Sequence, residues 1–151
     1  MTERGIELVR RFEGFSPRIY LCPAGYPTVG YGHVVTPEER YKFVRGITKE
    51  EAEELLRQDL AKFEVGVRAQ LKGVRLHDYC IDALTSFAYN VGLFAFKSST
   101  LRRLILQGEL TDAAEQFLRW VYAGGRKLRG LELRRRAERE LFLEGVDGRG
   151  V

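Results

Sequence analysis

Residues 12–33 read FEGFSPRIYLCPAGYPTVGYGH, and the change of texture inside this stretch decides the fold class. Ahead of it, Thr2 can cap a helix whose apolar face is carried by Ile6, Val9 and Phe12, which recur at helical spacing. Gly14 and then Pro17 stop that helix, so Glu13 falls at its C-terminal end. From Arg18 to Val35 the chain turns to short β-type runs, RIYL, TVGYG and HVV, split by CPAGYP. This pattern predicts a small antiparallel sheet with tight turns. No other part of the chain reads as rich in strand, and the expected class is α+β, mainly α.

Outward from that stretch the text is helical. Thr48 and Glu51 form a capping box that opens a helix over 48–71, with Leu55, Leu56, Leu60, Phe63 and Val67 facing inward. DYCIDALTSFAYNVG is apolar around most of its circumference and reads as a buried central helix. SSTLRRLILQG, ELTDAAEQFLRWVY and LELRRRAERELFLEG read as amphipathic helices, the last one following the glycine-rich AGGRKLRG, with Gly108 and Gly145 as helix stops. The organisation expected is one domain over 1–151. It has a small lobe over 14–47 with a β-hairpin sheet, a helical lobe over 72–151 together with helix 2–13, a connecting helix over 48–71, and a cleft between the lobes.

Composition narrows the function classes. A chain of 151 residues can bury a core without a metal or disulfide framework, and 44% hydrophobic with 30% charged residues excludes a disordered segment. The two cysteines, Cys22 and Cys80, form no C-x-x-C, and no histidines cluster, so neither a metal site nor a cofactor is expected. The N-terminal MTERGIELVRRFEGF is interrupted by Arg4, Arg10 and Arg11 and lacks the apolar core of a signal peptide or a membrane anchor, so the default compartment is the cytoplasm. The net charge of +4 suits a polyanionic partner. Between Arg126 and Arg139 seven basic residues face only Glu132 and Glu138, which reads as a solvated helix face or as an attraction to such a polymer. Without an aromatic-interleaved recognition signature, nucleic acid is not expected as a partner.

Three residues of the opening stretch carry chemistry. Glu13, at the negative end of a helix dipole, is in a setting that suits a proton donor. Thr28, on a strand, can hold a water or a polar substrate group, and Cys22, at a turn, can serve as base or nucleophile if its thiol is activated. Singly, each is an ordinary residue: an exposed glutamate, a strand former and an inert cysteine.

Together they are more specific. Glu13, eight residues, Cys22, five residues, Thr28 resembles the active-site pattern of the phage-type lysozymes, the endolysin muramidases of glycoside hydrolase family 24, in which the middle position is aspartate or cysteine. The similarity continues through GITKEEAEELLRQD (46–59), DALTSFAYNVG (82–92), STL (99–101) and WVYAGGRKLRGLELRRRAE (120–138), nearly the whole chain. The resemblance implies a lysozyme-like fold and hydrolysis of the β-1,4 bond between N-acetylmuramic acid and N-acetylglucosamine in peptidoglycan. Glu13 would be the general acid, and Cys22 and Thr28 would position or activate water.

For Cys22 three readings stay open at this point: a thiolate base, a neutral hydrogen-bonding partner that leaves most of the work to Thr28, or a covalent nucleophile. The resemblance further implies that His33 pairs with Asp59 as a brace near the site, and that an arginine of the G-L-x-x-R-R segment, Arg134 or Arg135, bonds the acid. Asn90 can hydrogen-bond the glycan or cap its helix before Gly92. Trp120 reads as core of the helical lobe.

Other functions remain in competition: a lytic transglycosylase, in which the muramic acid 6-hydroxyl replaces water, or a weakly catalytic peptidoglycan-binding module. The resemblance also implies a monomer without a stable membrane anchor. It would accumulate in the host cytoplasm and reach the wall once the membrane is permeabilised, with a separate holin for release.

Overall fold

The computed structural model describes residues 1–148. Its elements are α1 (Glu3–Glu13), β1 (Ser16–Leu21), β2 (Pro27–Gly30), β3 (His33–Val34), α2 (Lys49–Gln70), α3 (Asp78–Val91), α4 (Leu93–Lys97), α5 (Thr100–Leu106), α6 (Leu110–Gln116), β4 (Tyr122–Ala123), β5 (Arg126–Lys127) and α7 (Arg129–Val146). Short 3-10 segments lie at Pro37–Phe43 and Phe117–Arg119. The chain is thus mainly helical, with a three-stranded antiparallel sheet ordered β1-β2-β3 and a separate β4-β5 hairpin. Its contacts divide it into two compact units, Val9–Asp59 and Met1–Leu8 with Leu60–Val151.

The unit Val9–Asp59 holds the sheet, the end of α1 and the start of α2. Thr48 and Glu51 form the expected reciprocal cap: Thr48 Oγ1 accepts from the Glu51 N–H at 3.1 Å, and the Glu51 carboxylate accepts from the Thr48 N–H at 2.9 Å. Val29 from the sheet, Val35 just after it, and Ala52 and Leu56 from α2 are buried. An ion pair from Arg10 to Glu53 ties the end of α1 to α2.

In the other unit α3 is buried from Cys80 to Ala88, as its nearly all-round apolar text predicts, and it packs against α7. Phe87 is the hub of this core. Its ring meets Phe117 edge-on at 5.5 Å, Trp120 at 5.2 Å and Phe96 at 6.5 Å. Thr2 precedes α1 as expected, and its N–H also donates to the buried Asp82 at 3.0 Å.

Three expectations need correction. The helix read into ELTDAAEQFLRWVY ends at Gln116, because Phe117–Arg119 tightens into a 3-10 turn that seats Phe117 in the core, and Tyr122 then enters a strand. The glycine-rich AGGRKLRG is a hairpin, with Gly124 and Gly125 at φ +58° and +77° making the turn that joins β4 to β5. Gly145 is no helix stop. It is buried inside α7, where a Cβ would lie 2.6 Å from Cys80 Sγ and 2.9 Å from the Cys80 backbone nitrogen, so it lets α7 approach α3.

Candidate active site

Glu13 is the last residue of α1, and Gly14 turns the chain away at φ +71°. Glu13 borders a depression of about 270 Å³ together with Gly14, Phe15, Ser16 and Tyr20. The strand that leaves this corner carries Tyr20, and Cys22 follows its last residue, Leu21. The N–H of Gly25 donates to the Cys22 carbonyl at 2.7 Å and the N–H of Cys22 to the Tyr26 carbonyl at 3.0 Å, closing the turn. Tyr20 pairs directly with Thr28 across β1 and β2. Directly paired residues project to the same face of a sheet.

The turn does more than reverse the chain. The backbone amide of Tyr26 is the largest influence on the Cys22 thiol, with smaller ones in the same direction from the Ala24 and Gly25 amides and the Thr28 hydroxyl. Desolvation opposes them, but the donors prevail and hold the thiol pKa below its ordinary value of 9.0. Thr28 is buried, and its Oγ1 donates to the Tyr26 carbonyl at 2.9 Å. A hydroxyl has a single proton, so it can serve the carbonyl or the sulfur but not both at once.

Tyr20 was not among the residues singled out from the sequence. Burial raises its phenol pKa, and the neighbouring charges of Glu13 and Cys22 raise it further, so acid, phenol and thiol share one electrostatic neighbourhood. The signal was available: R-I-Y-L reads as strand, and Tyr20 stands in it two residues before Cys22 and pairs with Thr28.

His33 and Asp59 meet, with His33 Nδ1 and Asp59 Oδ2 2.6 Å apart. The other ring nitrogen faces Glu39 Oε1 at 2.7 Å, a partner the sequence reading did not include. Burial by itself would push the imidazole pKa down, but the two carboxylates outweigh it and raise it above 6.5.

Asn90, Arg134 and Arg135 form a second cluster, in the other unit. The Arg135 guanidinium donates through Nη1 to Glu138 Oε1 at 2.9 Å, through Nε to the Trp120 carbonyl at 2.8 Å and through Nη2 to Asn90 Oδ1, while lying 5.1 Å above the Phe87 ring. Arg134 Nε donates to Glu138 Oε2 at 3.2 Å and its Nη2 to the Ser86 carbonyl at 3.1 Å. Glu138 is fully buried and also accepts from the Ser86 hydroxyl at 2.6 Å. Asn90 does not cap its helix with its side chain; the Gly92 N–H bonds the Ala88 carbonyl at 2.7 Å, and the Asn90 oxygen is taken by Arg135. That bond turns the Asn90 amide NH2 away from Arg135, leaving a donor on an exposed side chain.

A mainly helical chain with a three-stranded antiparallel sheet, and a glutamate, a thiol and a threonine gathered in one unit beside that sheet, define a lysozyme-like class. The sequence pattern of the family described as Phage lysozyme matches residues 10–138, and the chain belongs to that family. It is 42% identical to the endolysin of Bacillus phage B103 over 96% of its own length and 54% of that relative's. It is 36% identical to the endolysin of Acyrthosiphon pisum secondary endosymbiont phage 1, over 94% of this chain and 97% of that one. The fold is similar to that of the muramidase domain of SpmX from Asticaccaulis excentricus, with a TM-score of 0.81 and 32% identity over 94% of this chain and 96% of that chain. The chain spans about half the length of the Bacillus phage relatives it matches.

Proposed function

We propose that this chain is a muramidase of the endolysin type, a single catalytic domain that hydrolyses the β-1,4 bond between N-acetylmuramic acid and N-acetylglucosamine in peptidoglycan. The observation that carries the reading is that Glu13 at the end of α1, Cys22 at the turn after β1 and Thr28 on β2 belong to one compact unit, with the Cys22 thiol held below its ordinary value by the amides of its turn. Membership of the phage lysozyme family and the names of its relatives point the same way.

In this mechanism Glu13 donates its proton to the glycosidic oxygen as the bond to the anomeric carbon breaks and oxocarbenium character develops. A water held by Thr28 attacks that carbon and passes a proton to the Cys22 thiolate. The cycle closes when Cys22 returns its proton to solvent and Glu13 regains one. Of the three readings for Cys22, the base is favoured, because amide donors stabilise the anion that abstracts the proton. The amide of Asn90 supplies a donor to carbonyl or hydroxyl oxygens of the glycan.

No helix among the described residues is long and apolar enough to cross a membrane. A monomer that accumulates in the host cytoplasm, and that a separate holin lets through to the wall, fits the endolysin reading. Turbidity loss of purified cell walls tests the activity. Glu13→Gln should lower it roughly 10²–10⁴-fold with melting unchanged, and a variant that clears walls at the wild-type rate would remove Glu13 from the acid role.

A further inference from the structure

Between Arg126 and Arg136 the chain carries six basic residues and one acid, Glu132. The structure sorts these cations into two kinds. Arg134 and Arg135 are buried, and their donors are held by Glu138, Ser86, the Trp120 carbonyl and Asn90. Arg126, Lys127, Arg129 and Arg136 are exposed. Among the described residues the ion pair reaching these four is a loose one, Lys127 Nζ to Glu132 at 3.9 Å. Every residue from Tyr122 to Gly130 is exposed, so both faces of the β4-β5 hairpin are open.

The hairpin is a preorganised presentation of these groups. Its two-glycine turn sets the register Tyr122 opposite Lys127 and Ala123 opposite Arg126, so a 63% exposed aromatic ring and a cation share one face. Acids and bases cancel within Val9–Asp59, which leaves the protein's positive excess in the unit that bears the hairpin.

We propose that the β4-β5 hairpin with the first turns of α7 is a docking surface for the acidic peptide stems of peptidoglycan, separate from the residues that carry the hydrolysis. This rests on the muramidase reading, which makes that polymer the one the protein works along. The stems carry free carboxylates at intervals along a sugar chain. Exposed cations attract the carboxylates, and Tyr122 offers a flat face to a sugar or a stem residue. Four exposed cations are fewer than the about 6–10 phosphate contacts typical of a DNA-binding surface, so nucleic acid is the poorer fit.

The test compares the full chain with R126Q/K127Q/R129Q/R136Q, and with R126K/R129K/R136K, which keeps the charge. Binding is measured by pelleting with sacculi stripped of secondary polymers, in low and in moderate salt, and turnover is measured on soluble, peptide-free glycan strands. Wild type and the lysine variant should bind sacculi about tenfold more tightly than the glutamine variant in low salt, and the difference should shrink as salt rises. Turnover of peptide-free strands should stay within about twofold in all three, since no exposed hairpin cation acts on the bond itself. Equal binding of the glutamine variant and wild type overturns the inference. So does a difference seen only with anionic vesicles, DNA or polyphosphate-bearing walls and absent from stripped sacculi. If wild type turns over neither sacculi nor free strands, the muramidase reading fails instead, and the free-strand assay tells the two failures apart.

Discussion

His33 stands between two carboxylates, Asp59 at 2.6 Å from one ring nitrogen and Glu39 at 2.7 Å from the other. The imidazole thus joins the strand that carries it to α2 and to the 3-10 segment at Pro37–Phe43. Its pKa is raised in the folded protein, so the native state holds the proton more tightly than the unfolded chain does. The stabilisation from this group is fully present below about pH 6.5, the unfolded value, and is lost as pH rises through the higher folded pKa. Thermal melts across that window should show stability falling with pH. His33→Asn should flatten the dependence at a cost of about 1–3 kcal/mol at low pH. A variant with the wild-type slope would show that another group causes it.

Cys22 should govern the pH dependence of activity. A base must be ionised, and this thiol is biased toward its anion first by the Tyr26 amide, so kcat/KM should rise with pH along a limb centred below the ordinary thiol value. Cys22→Asp should keep activity and move that limb to lower pH, whereas Cys22→Ser should lose about 10²-fold or more. Full activity in the serine variant would favour a neutral partner over a base.

Gly145→Ala sets two effects of opposite sign against each other. Alanine favours a helix interior over glycine by about 1 kcal/mol, but here its Cβ would collide with the backbone and sulfur of Cys80. Overpacking of this kind costs about 1–3 kcal/mol, and the contact with backbone cannot be relieved by a side-chain rotation. Denaturant melts should show net destabilisation. A more stable variant would mean that α7 and α3 are less closely packed than described.

Glu138→Gln should be among the most damaging single substitutions for stability. It leaves the guanidinium groups of two buried arginines without their shared anion, and breaking a buried pair from one side costs about 3–5 kcal/mol. Replacing Glu138 together with both arginines by apolar residues of similar volume should recover much of that loss. Melting of the single and triple variants compares the two.

The helix caps, the small sheet and the buried α3 were legible in the text of the chain because each has a local cause: a Thr-x-x-Glu box, a glycine-proline turn, an all-round apolar circumference. What was hidden depends on distant partners. Nothing near Gly145 in sequence says that Cys80 presses against it, and a run of arginines does not reveal which two are drawn inside by one glutamate. Trp120 packs its ring edge-on against Phe87 in the helical unit, as its size suggests, though it stays half-buried. The spacing of Glu13, Cys22 and Thr28 carries the resemblance to the family pattern, while the amides that lower the thiol pKa belong to a backbone whose path composition does not specify.

The most direct test of the account is mass spectrometry of the muropeptides released from purified peptidoglycan in water labelled with heavy oxygen, with wild type and Glu13→Gln side by side. Wild type should release fragments ending in reducing N-acetylmuramic acid with one labelled oxygen, and Glu13→Gln almost none. Unlabelled anhydro ends from wild type, or the same labelled products at the same rate from Glu13→Gln, would contradict it.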